Sequence, residues 1–162
     1  MSVIGRVESL WRYPVKSMRG QEVQEAFAGF SGIYGDRYYV FRDSAAPEGF
    51  PYLTAREQEK MLLYRPAYRN AASTAQPPNL AAAEALPPGI TPVYVSADGF
   101  TLDVETPAGE TMSIDDPRLI GMPREGLRER HQLTLLRSER AMTDCRPISL
   151  FSLQTARQLS ES

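Results

Sequence analysis

Apolar and polar positions alternate in short runs along most of this chain, a pattern that predicts strands rather than long helices. Residues 3–10 set Val3, Ile4 and Val7 among polar neighbours and read as an opening strand. Residues 22–28 alternate, with Val23, Glu25 and Phe27 on one face. Residues 37–43 hold Tyr38, Tyr39, Val40 and Phe41, a composition strongly enriched in strands. A further strand is expected over 61–64. Residues 92–114 resume the β pattern, with Asp98-Gly99 and Ala108-Gly109 as hairpin signals between three short strands. A last strand is expected over 131–136.

The intervening segments read as turns and short helices. In Trp11-Arg-Tyr-Pro-Val-Lys-Ser-Met-Arg-Gly20, Pro14 biases Tyr13 to an extended conformation and Gly20 permits a sharp turn. Gly29, Gly32 and Gly35 punctuate a turn region, and 45–51 reads as a loop. Residues 70–89 are rich in Ala, Pro, Asn and Ser. They read as an excursion with a helical turn or two near 81–86. Asp115-Asp-Pro117 can start a short helix, because Asp caps well and Pro suits the first turn. Residues 152–159 form a helix candidate capped by Ser152, with Leu153, Ala156 and Leu159 on one side. The expected fold class is mainly β (α+β).

Composition narrows the function. The 162 residues carry a formal net charge of −2, so no broad basic field argues for nucleic acid or an acidic membrane surface. No signal-peptide pattern opens the chain and no apolar run is long enough to span a bilayer. A cytoplasmic, soluble protein without a membrane partner is the expectation. The single cysteine, Cys145, excludes an internal disulfide and a multi-thiolate metal site, and the single histidine, His131, has no second histidine to share a metal.

Two turn motifs carry the candidate chemistry, Tyr13-Pro-Val-Lys-Ser17 and Gly35-Asp-Arg37. A lysine offers a point charge, a serine a hydroxyl donor, and an arginine a planar fork for two oxygens. Lys16, Ser17 and Arg37 on one sheet rim would together grip a phosphate or sulfonate. Tyr52-Leu-Thr-Ala-Arg56 adds Arg56 beside a threonine hydroxyl. Cations near turns are more commonly solvated surface groups. Three charge-assisted hydrogen bonds sum to roughly 5–9 kcal/mol, against an association cost of about 4–15 kcal/mol. Such a rim alone binds an anion loosely, and a tight ligand needs a second surface.

Tyr13-Pro-Val-Lys-Ser-Met-Arg-Gly20, Gly32-Ile-Tyr-Gly-Asp-Arg-Tyr-Tyr-Val-Phe41 and Leu53-Thr-Ala-Arg-Glu57 resemble, in order and spacing, the N-terminal β-barrel region of MOSC proteins. (MOSC denotes the molybdenum cofactor sulfurase C-terminal domain.) In arrangement the chain is similar to the mitochondrial amidoxime-reducing components and their bacterial relatives. The resemblance covers residues 3–66 well and 92–162 more loosely. It implies a β-barrel-like domain over 1–120, with 70–89 as an excursion, and the beginning of a MOSC domain over 121–162. Thr143-Asp-Cys-Arg-Pro-Ile-Ser-Leu150 resembles the opening of that second domain.

The resemblance also implies a cofactor, molybdopterin, lying between the barrel and the MOSC domain. Carried over by motif, Lys16, Ser17 and Arg37 hold the cofactor phosphate, and Arg56 matches the Thr-Ala-Arg element. Molybdenum-ion and pyridoxal-phosphate binding are implied at the level of the family. The implied partners are the remainder of the MOSC domain and an electron-donor protein. The implied reaction is reduction of N-oxygenated compounds, or sulfur handling. In the family the metal-ligating cysteine follows an Arg-Pro-Asn element that this sequence does not contain. The expectation is therefore a front part of a longer protein, inactive by itself. The alternative is a non-catalytic module that binds an anion or a protein segment through the same rim.

The remaining chemistry-bearing residues have simpler readings. Cys145, between Asp144 and Arg146, is made more acidic by the arginine or is a partly buried neutral thiol. His131 reads as a polar residue opening a strand. Adjacent Asp115 and Asp116 diverge on any regular element, which favours capping over paired-carboxylate chemistry. Tyr38, Tyr39 and Phe41 read as cross-strand packing rather than base stacking.

Overall fold

The aromatic run after Gly35 builds the centre of the molecule. In the computed structural model, which describes residues 3–70, 72–96, 100–143 and 148–161, Tyr39–Asp43 forms β5 with Val40 and Phe41 fully buried. Around it the chain lays down β1 (Leu10–Arg12), β2 (Gln21–Val23), β3 (Ala28–Gly29) and β4 (Gly32–Ile33). Later come β6 (Arg65–Tyr68), β7 (Leu102–Glu105), β8 (Thr111–Ser113) and β9 (Leu133–Arg137). The described residues also form three short α-helices, α1 (Leu80–Glu84), α2 (Pro117–Gly121) and α3 (Leu153–Ser160), and three 3₁₀ turns.

The strands pair antiparallel into small sheets, β1-β2, β3-β4, β5-β9 and β6-β7-β8. A β-rich fold with short helices is thus present, and among the described residues the sheets do not close into a barrel. The β5–β9 ladder runs from Tyr39 opposite Arg137 to Asp43 opposite Leu133. Its far end is pinned by His131, whose Nδ1 lies 2.6 Å from Oδ2 of buried Asp43. His131 is therefore an anchor for the strand that it precedes.

The core is unusually rich in tyrosine. Tyr34, Tyr38, Tyr68 and Phe100 contact one another edge-on or tilted, with ring centroids 4.3–5.9 Å apart. Offset and edge geometries suit the ring quadrupoles and add to area burial. Each buried hydroxyl needs a partner: Tyr34 donates to the Val95 carbonyl at 2.8 Å and Tyr68 to the Gly35 carbonyl at 2.9 Å. Burial pushes the Tyr38 phenol up to about 12. Leu53, Met61, Leu102, Val104 and Leu119 fill the remainder.

Several expected boundaries move. The opening strand begins at Leu10 rather than at residue 3. Val3, Ile4 and Val7 lie exposed, and residues 3–9 join no ladder, so β-branched composition alone does not make a strand there. Trp11 and Arg12, read as the start of a loop, belong to β1. The strand expected over 61–64 is a 3₁₀ helix over Glu59–Leu63. It buries only Met61, and the Gln58 side chain ties its start to the Pro123 and Glu125 carbonyls. The following β6 takes up the pairing.

Of the hairpin signals, Ala108-Gly109 joins β7 to β8, with Gly109 at φ +83°. Asp98-Gly99 lies outside the described residues, as does Cys145. Residues 92–96 do not form a strand; the Asn79 amide bonds the Val93 carbonyl and the Val95 N–H in place of a neighbouring chain. The expected caps are present: Asp116 Oδ1 accepts from Arg118 N, and Ser152 Oγ from Thr155 N. No helix of the described residues is long and apolar enough to cross a membrane.

Candidate oxyanion site

The two turn motifs meet through the backbone. The Tyr39 N–H donates to the Pro14 carbonyl, and the Lys16 N–H donates to the Tyr39 carbonyl, a parallel bridge between Val15 and Tyr39. One step earlier the Arg37 N–H donates to the Tyr13 carbonyl at 2.6 Å. Residues 13–16 and 37–39 therefore run side by side. This pairing needs Pro14 only as an acceptor, so its missing N–H costs nothing here.

Strain marks the same place. Among the described residues, only Ser17 (φ 65°) and Arg37 (φ 50°) are non-glycine residues with positive φ. The left-handed conformation costs a residue with a Cβ about 1–2 kcal/mol. Such outliers concentrate at functional sites, because the surrounding structure must over-determine them. Here Val15 and Met18 flank Ser17 and are almost fully buried, which fixes the turn from both sides.

The charged groups are held differently. Lys16 is 5% exposed; its Nζ donates to the Met142 carbonyl at 3.2 Å. The Phe50 ring lies 5.3 Å from that ammonium and the Tyr52 ring 5.9 Å, within cation–π range. Arg37 keeps about a quarter of its side chain exposed. Its Nη1 stands 3.2 Å from Oδ2 of Asp36, and its guanidinium 5.9 Å from the Tyr13 ring. Asp36 is buried, with Oδ1 accepting the Tyr13 N–H at 2.6 Å. Burial raises its pKa, against the lowering effect of the Tyr13 hydrogen bond, then of Arg37 and Arg12.

Of the four residues expected at the site, Lys16, Ser17 and Arg37 share these two adjacent segments. Arg56 belongs to neither segment and lies on an exposed turn, where its N–H donates to Thr54 Oγ1 and Thr54 is bonded to Glu57. Sequence reasoning passed over Asp36, although the Gly-Asp-Arg motif contains it. It also passed over Met142, for which no local signal exists. Two surface hollows, one against Ser73 and Glu84 and one against Asp43 and Gln132, include none of the three clustered residues. Among the described residues, no three His, Cys, Asp or Glu side chains gather as a metal would require.

What the arrangement can do follows from these donors. An ammonium, a hydroxyl and a guanidinium on hydrogen-bonded neighbouring segments suit a tetrahedral oxyanion. Asp36 offsets one of the two cations, which moderates the attraction. The family model for the MOSC N-terminal beta barrel domain matches residues 4–115. The chain belongs to this family. The match takes in both turn motifs and eight of the nine strands, β9 alone lying beyond it. No curated protein matches the chain.

Proposed function

We propose that this chain of the MOSC N-terminal family holds the phosphate of a molybdopterin cofactor, through Lys16, Ser17 and Arg37. The observation that carries the reading is the coincidence of strain and chemistry. The two left-handed non-glycine residues among those described are two of the three oxyanion donors, and the third, Lys16, adjoins one of them. A structural turn alone would have no reason to spend strain on a serine and an arginine where glycine is free to serve.

The donor set fits a phosphate in kind. Lys16 supplies a desolvated charge, which strengthens any hydrogen bond that it makes. Ser17 supplies a hydroxyl on a backbone held at φ 65°. Arg37 is partly exposed and can turn one edge of its fork outward while the other faces Asp36. When bound, the molybdenum cofactor supplies redox chemistry, which in this reading serves reduction of N-oxygenated compounds or sulfur handling. The residues described here bind and orient; none is assigned a step in the reaction.

A titration with inorganic pyrophosphate, followed by backbone amide shifts, tests the reading. Shifts confined to 15–20 and 35–38, and lost in Lys16→Ala with Arg37→Ala, are the expected result. Protein purified from cells that make the cofactor should also lose bound molybdenum in that double variant. Unchanged metal content together with absent shifts would reject the assignment.

A further inference from the structure

The outer face of β1, and of the residue that follows it, carries two exposed rings beside Arg37. Alternation along the chain buries Arg12 and turns Trp11 and Tyr13 outward, 44% and 41% exposed. Both rings close over Gly20: a Cβ there would lie 3.0 Å from Tyr13 Cε1 and 3.2 Å from Trp11 Cε3. Trp11 Nε1 donates to Ser9 Oγ at 3.3 Å, which orients the indole. Tyr13 is tied to the oxyanion site through both its backbone groups, its N–H donating to Asp36 and its carbonyl accepting from the Arg37 N–H. The Arg37 guanidinium stands 5.9 Å from the Tyr13 ring centroid. At the other end, exposed Glu22 lies directly opposite Trp11 in the β1–β2 ladder, and therefore on the same face.

We infer that Trp11 and Tyr13 form a stacking shelf for a planar heteroaromatic ring joined to the anion, and that Glu22 reads a ring edge carrying adjacent N–H groups, as in guanine. The inference rests on the oxyanion reading given above and adds to it the chemistry of the rest of the ligand. The parts stand in line: the Arg37 cation, two π-faces, then a carboxylate. Trp11 and Tyr13 are two residues apart on extended chain, about 7 Å, a separation that a fused two-ring heterocycle spans. Stacking accepts any such ring, because every base has a π-face. A carboxylate accepts hydrogen bonds and donates none, so Glu22 selects a donor edge. Gly20 lets both rings lie close to the chain beneath them; a side chain there would lift them off it. The shelf is two rings wide and ends in charges of opposite sign, which suits a small ligand with an anion at one end and N–H donors at the other.

Ribose 5-phosphate, adenosine 5′-monophosphate and guanosine 5′-monophosphate carry one phosphate ester with no base, a base without that edge and a base with it. In calorimetric titrations of the full chain, the adenosine nucleotide should bind roughly tenfold more tightly than ribose 5-phosphate. The guanosine nucleotide should gain several-fold more and should quench the emission of Trp11, the one tryptophan of the chain. Trp11→Ala should abolish the preference for a base, and Trp11→Phe should restore much of it. Glu22→Ala should equalise the two nucleotides. Both side chains are exposed, so neither substitution threatens the fold. Equal affinity for all three ligands in the unaltered protein, or a base preference that survives Trp11→Ala, would overturn the shelf and leave the oxyanion reading standing. Trp11 emission that shifts with protein concentration in the absence of ligand would give the face to a second copy of the chain and overturn the shelf as well. Failure of all three, and of pyrophosphate, to bind overturns both readings.

Discussion

Two buried cations lie four residues apart in sequence, Arg12 and Lys16, and the molecule treats them in opposite ways. Arg12 sits in β1, 1% exposed and enclosed by the tyrosine core. Its guanidinium donates to the Thr74 carbonyl and hydroxyl, the Gln21 side chain and the Tyr34 carbonyl, and stands 4.7 Å from the Tyr68 ring centroid. Burial pulls its pKa down, opposed first by Tyr68 and then by Asp36. Lys16 instead points its ammonium at the peptide of an irregular segment. The planar fork of Arg12 satisfies several fixed acceptors at once and staples the 72–74 turn to the first sheet. A point charge on a flexible stem can exchange one acceptor for another. The first site is structural and closed; the second is the one that the proposed function turns toward a ligand.

The comparison breaks first at Arg12. Arg12→Ala should cost about 3–5 kcal/mol, because it leaves several buried acceptors unpaired in the aromatic core. A denaturant melt checks this, and a loss under 1 kcal/mol would mean that the guanidinium is replaceable by water. Lys16→Met keeps the apolar stem and removes the charge. Stability should stay within about 1 kcal/mol while pyrophosphate binding disappears, so calorimetry on one sample separates the two roles.

Asp36 sharpens the contrast through pH. Its folded pKa is raised above the ordinary 3.8. Between that value and the raised one, the folded state binds more protons than the unfolded state. Its contribution to stability therefore falls as pH rises through the window. Asp36→Asn removes the decline, so the variant should gain on the parent as pH rises from 3.8. Parallel urea-midpoint profiles for the two proteins would contradict the burial-driven shift.

Ser17→Gly relieves the left-handed strain at the price of a looser unfolded chain, and should raise stability by about 0.5–1 kcal/mol. The same change deletes a hydroxyl donor and should weaken pyrophosphate binding, a trade expected where strain serves a ligand. The smallest effect belongs to Arg56→Ala, within about 0.5 kcal/mol in stability and without change in binding. Measurable weakening there would bring the exposed turn into the site after all.

Local chemistry made much of the fold legible. The aromatic run of β5, the Ala108-Gly109 turn, the Asp116 and Ser152 caps and the short helix near residue 81 all follow from interactions within a few residues. The 3₁₀ helix over Glu59–Leu63 was not legible, because the acceptors for Gln58 come from Pro123 and Glu125, far along the chain. The pairing of β5 with β9 was hidden for the same reason: nothing near residue 40 specifies which later strand joins it.

By itself, the amino-acid sequence determined the β-rich class, the family and the two turns that carry Lys16, Ser17 and Arg37. Those turns are set by Pro14, Gly20 and Gly35 and by the order of their neighbours, information that is short-range. Tertiary structure alone decided that the turns lie side by side, that Asp36 moderates Arg37, and that the peptide of Met142 covers the ammonium. The first of those contacts spans 23 positions and the last 126, while Asp36, beside Arg37 in the chain, is held in place by the distant Tyr13 N–H. No local preference encodes them, because they form only once burial of the core has chosen which segments become neighbours.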